Sequence, residues 1–267
     1  MKLNYYFFFQ IKIFLFLIFI TFSFTQNNFC SIPSPKNTST PPIKSPIPIS
    51  GHIDFKYALI TAHPSMRSSC DIKGSVEGQN IIEIEDGGSI SNLIIDDPSK
   101  GIWCKGSCTL TNIYFKKTCY HAVDFGNSQD SIEQNFQVIG GAVLNALDKV
   151  FTQAGAGTTI IQNFCAQTFS KVYRSCGEKC SQHTRHVKMV DSNFKGPGLS
   201  LISLNYNYKD SMYINNVSAT SDISYGCQEY EGTEGSSSMT PSDECLLNEE
   251  CNKKVCKYKK GSIIVEG

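Results

Sequence analysis

From Gly51 onward, apolar and β-branched residues come in short runs broken by Gly, Asn and Asp, with hardly any helical period. Such a pattern predicts a mostly β domain. One fragment recurs, an Asn followed by an apolar residue inside an apolar strand. It occurs at Ile90-Ser-Asn92-Leu93, Leu110-Thr-Asn112-Ile113, Ile160-Ile-Gln-Asn163-Phe164, Val190-Asp-Ser-Asn193-Phe194 and Tyr213-Ile-Asn-Asn216-Val217. The Asn residues lie 20, 51, 30 and 23 apart, near one or two turns of a coil of about 20–30 residues. Short strands at that period predict an all-β solenoid, a right-handed parallel β-helix with an internal Asn ladder, in which each turn buries its apolar side chains by stacking on its neighbours. A β-sandwich is the competing architecture.

The ends read differently. Lys2, Lys12 and the apolar run Ile13–Phe24, closing on Ser23-Phe24-Thr25, have the layout of a secretory signal peptide over residues 1–25. Gln10 and Lys12 interrupt the run too early for a membrane span, which takes about 20 apolar residues. Six of the ten prolines fall between Pro33 and Pro48, and residues 26–50 read as an extended Pro/Ser/Thr-rich linker to a domain over 51–220. Cys227, Cys245, Cys251 and Cys256 make 221–267 a disulfide-rich C-terminal extension. No CxxC spacing there favours zinc. Twelve cysteines fit an oxidising, extracellular location, and the sequons Asn37-Thr38-Ser39 and Asn216-Val217-Ser218 permit glycosylation.

Charge narrows the partners by what it lacks. The 24 basic and 24 acidic residues cancel, so no global field draws the chain to nucleic acid, and any grip on a polyanion is local. An all-paired cysteine set argues against a thiol nucleophile. Gly140-Gly141 and Gly155-Ala-Gly157 lack the GK[ST] ending of a phosphate loop, and His121, His183 and His186 lack metal-binding spacing.

From Ile81 to Asp210 the sequence resembles the family 3 pectate lyases. The resemblance is carried by Glu83-Ile-Glu85-Asp86-Gly87, Gly101-Ile-Trp-Cys104-Lys-Gly-Ser-Cys108, Asn145-Ala-Leu-Asp148-Lys149-Val150-Phe151, Lys171-Val-Tyr173-Arg174-Ser-Cys176-Gly177, Arg185-His186-Val187 and Asn205-Tyr-Asn-Tyr208. It implies a parallel β-helix that cleaves polygalacturonate or pectin by β-elimination, acting as a monomer with no membrane attachment after signal cleavage. In that reaction a base removes the proton on carbon 5 and the oxygen on carbon 4 leaves, while a cation stabilises the enolate-like charge.

By the same resemblance Lys149, Lys171 and Arg174 fall on the family's catalytic basic positions. The 22 residues from Lys149 to Lys171 put them about one turn apart on one face. Like charges gathered there depress a lysine's pKa toward the range of a useful base, whereas an arginine suits carboxylate binding. Lys100 and Arg185 are candidates for holding a uronate carboxylate, and Trp103 and Tyr173 either stack on sugars or belong to the core.

The departure is at the metal. The family's calcium positions, an Asp and an adjacent Glu-Asp pair, are Lys100, Tyr120 and His121 here, and calcium takes six to eight oxygen ligands. Three readings stay open: a metal-independent lyase in which the Lys100 ammonium replaces calcium; calcium held through other ligands such as Asp96, Asp97 and Asp124; or a non-catalytic secreted protein that binds acidic polysaccharide.

Overall fold

The computed structural model describes residues 30–38, 41–66, 79–96, 98, 100–236 and 240–267, so the expected signal peptide lies outside the described residues. The chain winds as a parallel β-helix with two long sheets. The first sheet has nine strands: Ile47–Ile49, Asn80–Ile84, Lys100–Cys104, His121–Phe125, Ala146–Gln153, Phe169–Ser175, Gly198–Asn205, Ile223–Tyr230 and Asp243–Cys245. Its strands alternate along the chain with those of the second, ten-stranded sheet, which runs from Asn37–Thr38 and His52–Thr61 to Ser211–Thr220 and Ile263–Glu266. Most turns give one strand to each sheet; in one turn the second sheet's strand is split into Gly157–Gln162 and Cys165–Gln167, and Asp243–Cys245 is an added strand at the end of the first sheet. Pairing is parallel throughout the first sheet except at its end, where Asp243–Cys245 runs antiparallel to Ile223–Tyr230.

Inward side chains stack from turn to turn because parallel registers place like positions over one another. One column is Ile82, Ile102, Val123, Phe151, Tyr173, Ile202 and Cys227. Phe151 packs against Phe125 with ring centroids 5.8 Å apart and against Phe164 at 5.0 Å. Burying each such ring contributes roughly 2–3 kcal/mol. Between Lys100 and the neighbouring strand the approach is close enough to require glycine. A Cβ on Gly101 would lie 2.3 Å from the Ala122 carbonyl oxygen.

The Asn repeat has a structural cause, but not an internal ladder. Asn92, Asn112, Gly140, Asn163, Asp191 and Asn216 occupy equivalent points on successive strands of the second sheet, all with φ between 51° and 68°. Each marks a left-handed kink, a conformation that Asn, Asp and Gly adopt at lower cost than other residues. Asn112 donates to Asn92 Oδ1 at 3.0 Å and Asn216 to Asp191 Oδ1 at 2.7 Å. These side chains lie on the outside, half-buried at Asn92 and Asn112 and exposed from Asn163 to Asn216. Asn193 is not a rung; Asp191 is. Gly140 fills the long gap between Asn112 and Asn163.

Two boundaries are corrected. The Pro-rich segment is not a free linker, because Asn37–Thr38 pairs with Ala58–Leu59 and Ile47–Ile49 with Ile82–Ile84, while Cys30 is bonded to Cys165. The extension is likewise continuous with the coil. Ile223–Tyr230 forms a regular strand, and Ile263–Glu266 joins the second sheet beside Val217–Thr220. Within the extension, Cys227–Cys256 and Cys245–Cys251 are the disulfides; Cys104–Cys108 and Cys176–Cys180 close local loops.

Candidate active site

The registers of the first sheet line up side chains in rows along the coil axis. One row holds Asn80, Lys100, His121, Lys149, Lys171, Ser200 and Tyr225. Three residues further along the strands, a second row holds Trp103, Asp124, Thr152, Arg174, Ser203 and Gln228 and ends at Glu244. Four nitrogen bases and an arginine thus share one face. They line a cleft of about 760 Å³, walled by Trp103, Tyr120, Tyr230 and the loop Cys176–Lys179.

Aromatic rings separate the cations. Tyr120 stacks on His121 with centroids 3.8 Å apart, and the ammonium groups of Lys100 and Lys149 lie 5.6 and 5.7 Å from its centroid. Lys171 Nζ donates to the Tyr230 hydroxyl at 2.6 Å, and the Arg174 guanidinium stacks 3.9 Å from the same ring's centroid. A cation over a ring face gains from the ring quadrupole.

Two carboxylates complete the cleft: Asp124, expected above only as an alternative calcium ligand, and Asp148, which was given no role. Asp124 lies 2.6 Å from His121 Nδ1 and accepts from the Thr152 hydroxyl. Asp148 accepts from Lys149 Nζ at 2.5 Å and lies 3.5 Å from His121 Nε2. The imidazole is therefore flanked by two acids. Burial pulls the His121 pKa down, but Asp124 and Asp148 outweigh it and raise it. Burial alone would raise the carboxyl of Asp148; His121 and Lys149 instead bring it down to about 2. Asp148 stands beside Lys149 in the quoted motif, which was its one visible signal.

Lys171 is the distinctive base. Burial first, then the positive charges of Arg174 and Lys149, lower its pKa to about 7. Desolvation, rather than like-charge repulsion alone, leads the shift. Burial lowers Arg174 to about 10 only, with Tyr230 and Asp210 opposing, so at neutral pH Lys171 alone of the two has an appreciable neutral fraction.

Arg185 is a correction. Its side chain is fully buried, and its guanidinium donates to the carbonyl oxygens of Ala154, Cys176 and Ser181 and to Gln182 Oε1. With its hydrogens given to the protein, it holds the loop at the cleft rim and is not placed to grip a uronate. Tyr173 is core, donating to Gln153 Oε1 at 2.7 Å, whereas Trp103 lines the cleft with its indole N–H on the Gly126 carbonyl.

Among the described residues, no group of three or more His, Cys, Asp or Glu side chains is placed to hold a metal ion. Lys100 and His121 present nitrogen to the cleft, and its two acids are engaged by His121, Thr152 and Lys149. Calcium takes several oxygen ligands at 2.3–2.6 Å. Asp96 does not join Asp124; it pairs with Lys116 at 3.2 Å, and Asp97 lies outside the described residues.

Comparison with known proteins supplies the family. Residues 31–237 match the family model described as pectate lyase. The chain is 32% identical over 225 residues to the probable pectate lyase D of Emericella nidulans, covering 80% of this chain and 82% of that protein. It is 37% identical over 186 residues to the probable pectate lyase E of Aspergillus clavatus, covering 66% and 70%. Among solved structures, the catalytic domain of pectate lyase PelI from Erwinia chrysanthemi superposes with a TM-score of 0.66 at 20% identity, covering 87% of this chain and 98% of that one. The same enzyme in complex with tetragalacturonic acid superposes at 0.65 with 21% identity, covering 91% and 72%.

Proposed function

The chain belongs to the pectate lyase family and is a pectate-cleaving polysaccharide lyase; from that premise we propose that its own side chains, rather than an inherited calcium site, supply the positive charge for β-elimination in a secreted enzyme. The observation that carries the proposal is the row Lys100, His121, Lys149 and Lys171, set on successive turns in one cleft.

In this reading Lys171, neutral in part at pH 7, takes the proton from carbon 5 of a bound uronate. The electron pair left behind delocalises onto the carboxylate and forms the C4=C5 double bond as the C4–O bond breaks, and the departing oxygen takes up a proton. Lys100 and Lys149, with Tyr120 between them, hold the carboxylate whose charge grows in the transition state. Arg174 binds a carboxylate and, by its charge, keeps Lys171 easy to deprotonate. His121, held between Asp124 and Asp148, adds a further positive charge at the place where an acidic ligand stands in the family pattern.

The test is unsaturated product absorbing in the ultraviolet after incubation with polygalacturonate or methylated pectin, with and without a chelator. Product formation unaffected by the chelator is expected. Turnover abolished by chelation would restore a metal, and binding without product would leave only recognition of acidic polysaccharide.

A further inference from the structure

Lys171 does not end in the cleft; it begins a hydrogen-bond chain that leads into the C-terminal extension. Its Nζ lies 2.6 Å from the hydroxyl of Tyr230, which donates to Gln228 Oε1 at 3.0 Å, and Gln228 Nε2 donates to Glu244 Oε1 at 2.7 Å. Tyr230 is 3% exposed, Gln228 1% and Lys171 9%, so the inner links of the chain are shielded from bulk water, while Glu244 at its far end is exposed.

The direction of the chain is set at its far end. A carboxylate only accepts, so Glu244 fixes the Gln228 amide with its nitrogen outward and its oxygen toward Tyr230. The one hydroxyl hydrogen of Tyr230 is committed to that oxygen, leaving only lone pairs for Lys171 and for Ser203, whose side chain also bonds the phenol oxygen. Lys171 must therefore donate to Tyr230 in either protonation state. A neutral amine that gives one N–H to Tyr230 keeps its lone pair off that bond and available to the cleft.

We propose that Tyr230, polarised through Gln228 by Glu244, is a positioning residue that holds Lys171 as donor on one side and thereby aims its lone pair at the substrate. This rests on Lys171 being the base of the reading above. It also gives the disulfide-tied extension a function, because Glu244 arrives on the antiparallel strand Asp243–Cys245, held at Cys245 by the bond to Cys251 and facing Cys227, itself bonded to Cys256. The charged groups around Lys171 are Lys149 and Asp148 on the neighbouring strand, Arg174 on its own strand, and Glu244 beyond Tyr230. Only the last is reached through the chain.

The experiment compares wild type, Tyr230→Phe and Glu244→Gln. Phe keeps the ring under Arg174 and removes the acceptor; Gln at 244 lets the amide of 228 turn, so that Tyr230 donates to the lysine lone pair. Expected for both is a kcat lowered roughly ten- to a hundredfold with KM within about twofold. The acid limb of the kcat–pH profile should move to lower pH, because a lysine without its acceptor, or with its lone pair engaged, binds a proton less readily. A purely structural loss would lower kcat without moving the limb. As a readout independent of turnover, the lysines are reductively methylated with ¹³C and titrated by NMR, the Lys171 signal being identified by its absence in Lys171→Arg. A downward shift of that titration in both variants supports the chain even if no product forms. An unmoved titration and an unmoved limb in well-folded variants overturn it.

Discussion

At the scale of single residues, the cleft is decided by which lysine is buried. Lys171 carries its proton below about pH 7 and sheds it above, and a base must be neutral. Turnover should therefore fall about tenfold per pH unit on the acid side and level off above pH 7. Lys171→Met should cost roughly 10²–10⁴ in kcat with the fold intact. Placing acids at the positions that the resemblance assigns to calcium is a second test at this scale. Lys100→Asp alone should leave turnover insensitive to added calcium and chelator, whereas Lys100→Asp with Tyr120→Glu and His121→Asp should make it respond to both. Lys149, Lys171 and Arg174 were legible because motif and spacing put them on one face. The misplacement of Arg185 has an equally physical origin. A guanidinium satisfied by backbone carbonyls has the same letter as one reaching for substrate, and only burial tells them apart. Tyr230 was invisible for another reason, its 59-residue separation from Lys171.

At the scale of elements, the outer ladder determines where the strands of the second sheet turn. Asn112 sits at φ 54° and donates to Asn92. Asn112→Ala should lose both the hydrogen bond and the ease of the left-handed conformation, about 1–3 kcal/mol in urea unfolding. Asn112→Gly, which adopts that conformation freely, should lose less. Gly140→Ala should be costly, because its Cβ would lie 2.6 Å from Asn112 Oδ1. The period of the coil could be read from Asn alone, since Asn is common at such kinks. The uneven intervals could not, because Gly and Asp do the same job at positions 140 and 191.

Across the whole molecule, Cys30–Cys165 spans a sequence separation of 135 residues. Replacing both by Ala should lower stability by about 2–4 kcal/mol, read as a drop in Tm, while the cleft residues keep their registers. Proline content suggested a free tether here. Proline is tolerated at sheet edges, and at Ile47–Ile49 the segment lies at the end of the first sheet, where one side needs no partner.

The rows in the first sheet have a consequence for what can lie along them. Backbone hydrogen bonds hold neighbouring strands about 4.8 Å apart, so the backbone positions of Lys100, His121, Lys149 and Lys171 recur as evenly as marks on a ruler. A loop that grows or shrinks between turns lengthens the chain without stretching that scale. The polymer must therefore supply the accommodation, twisting until its acid groups fall in step with a pitch the protein cannot adjust.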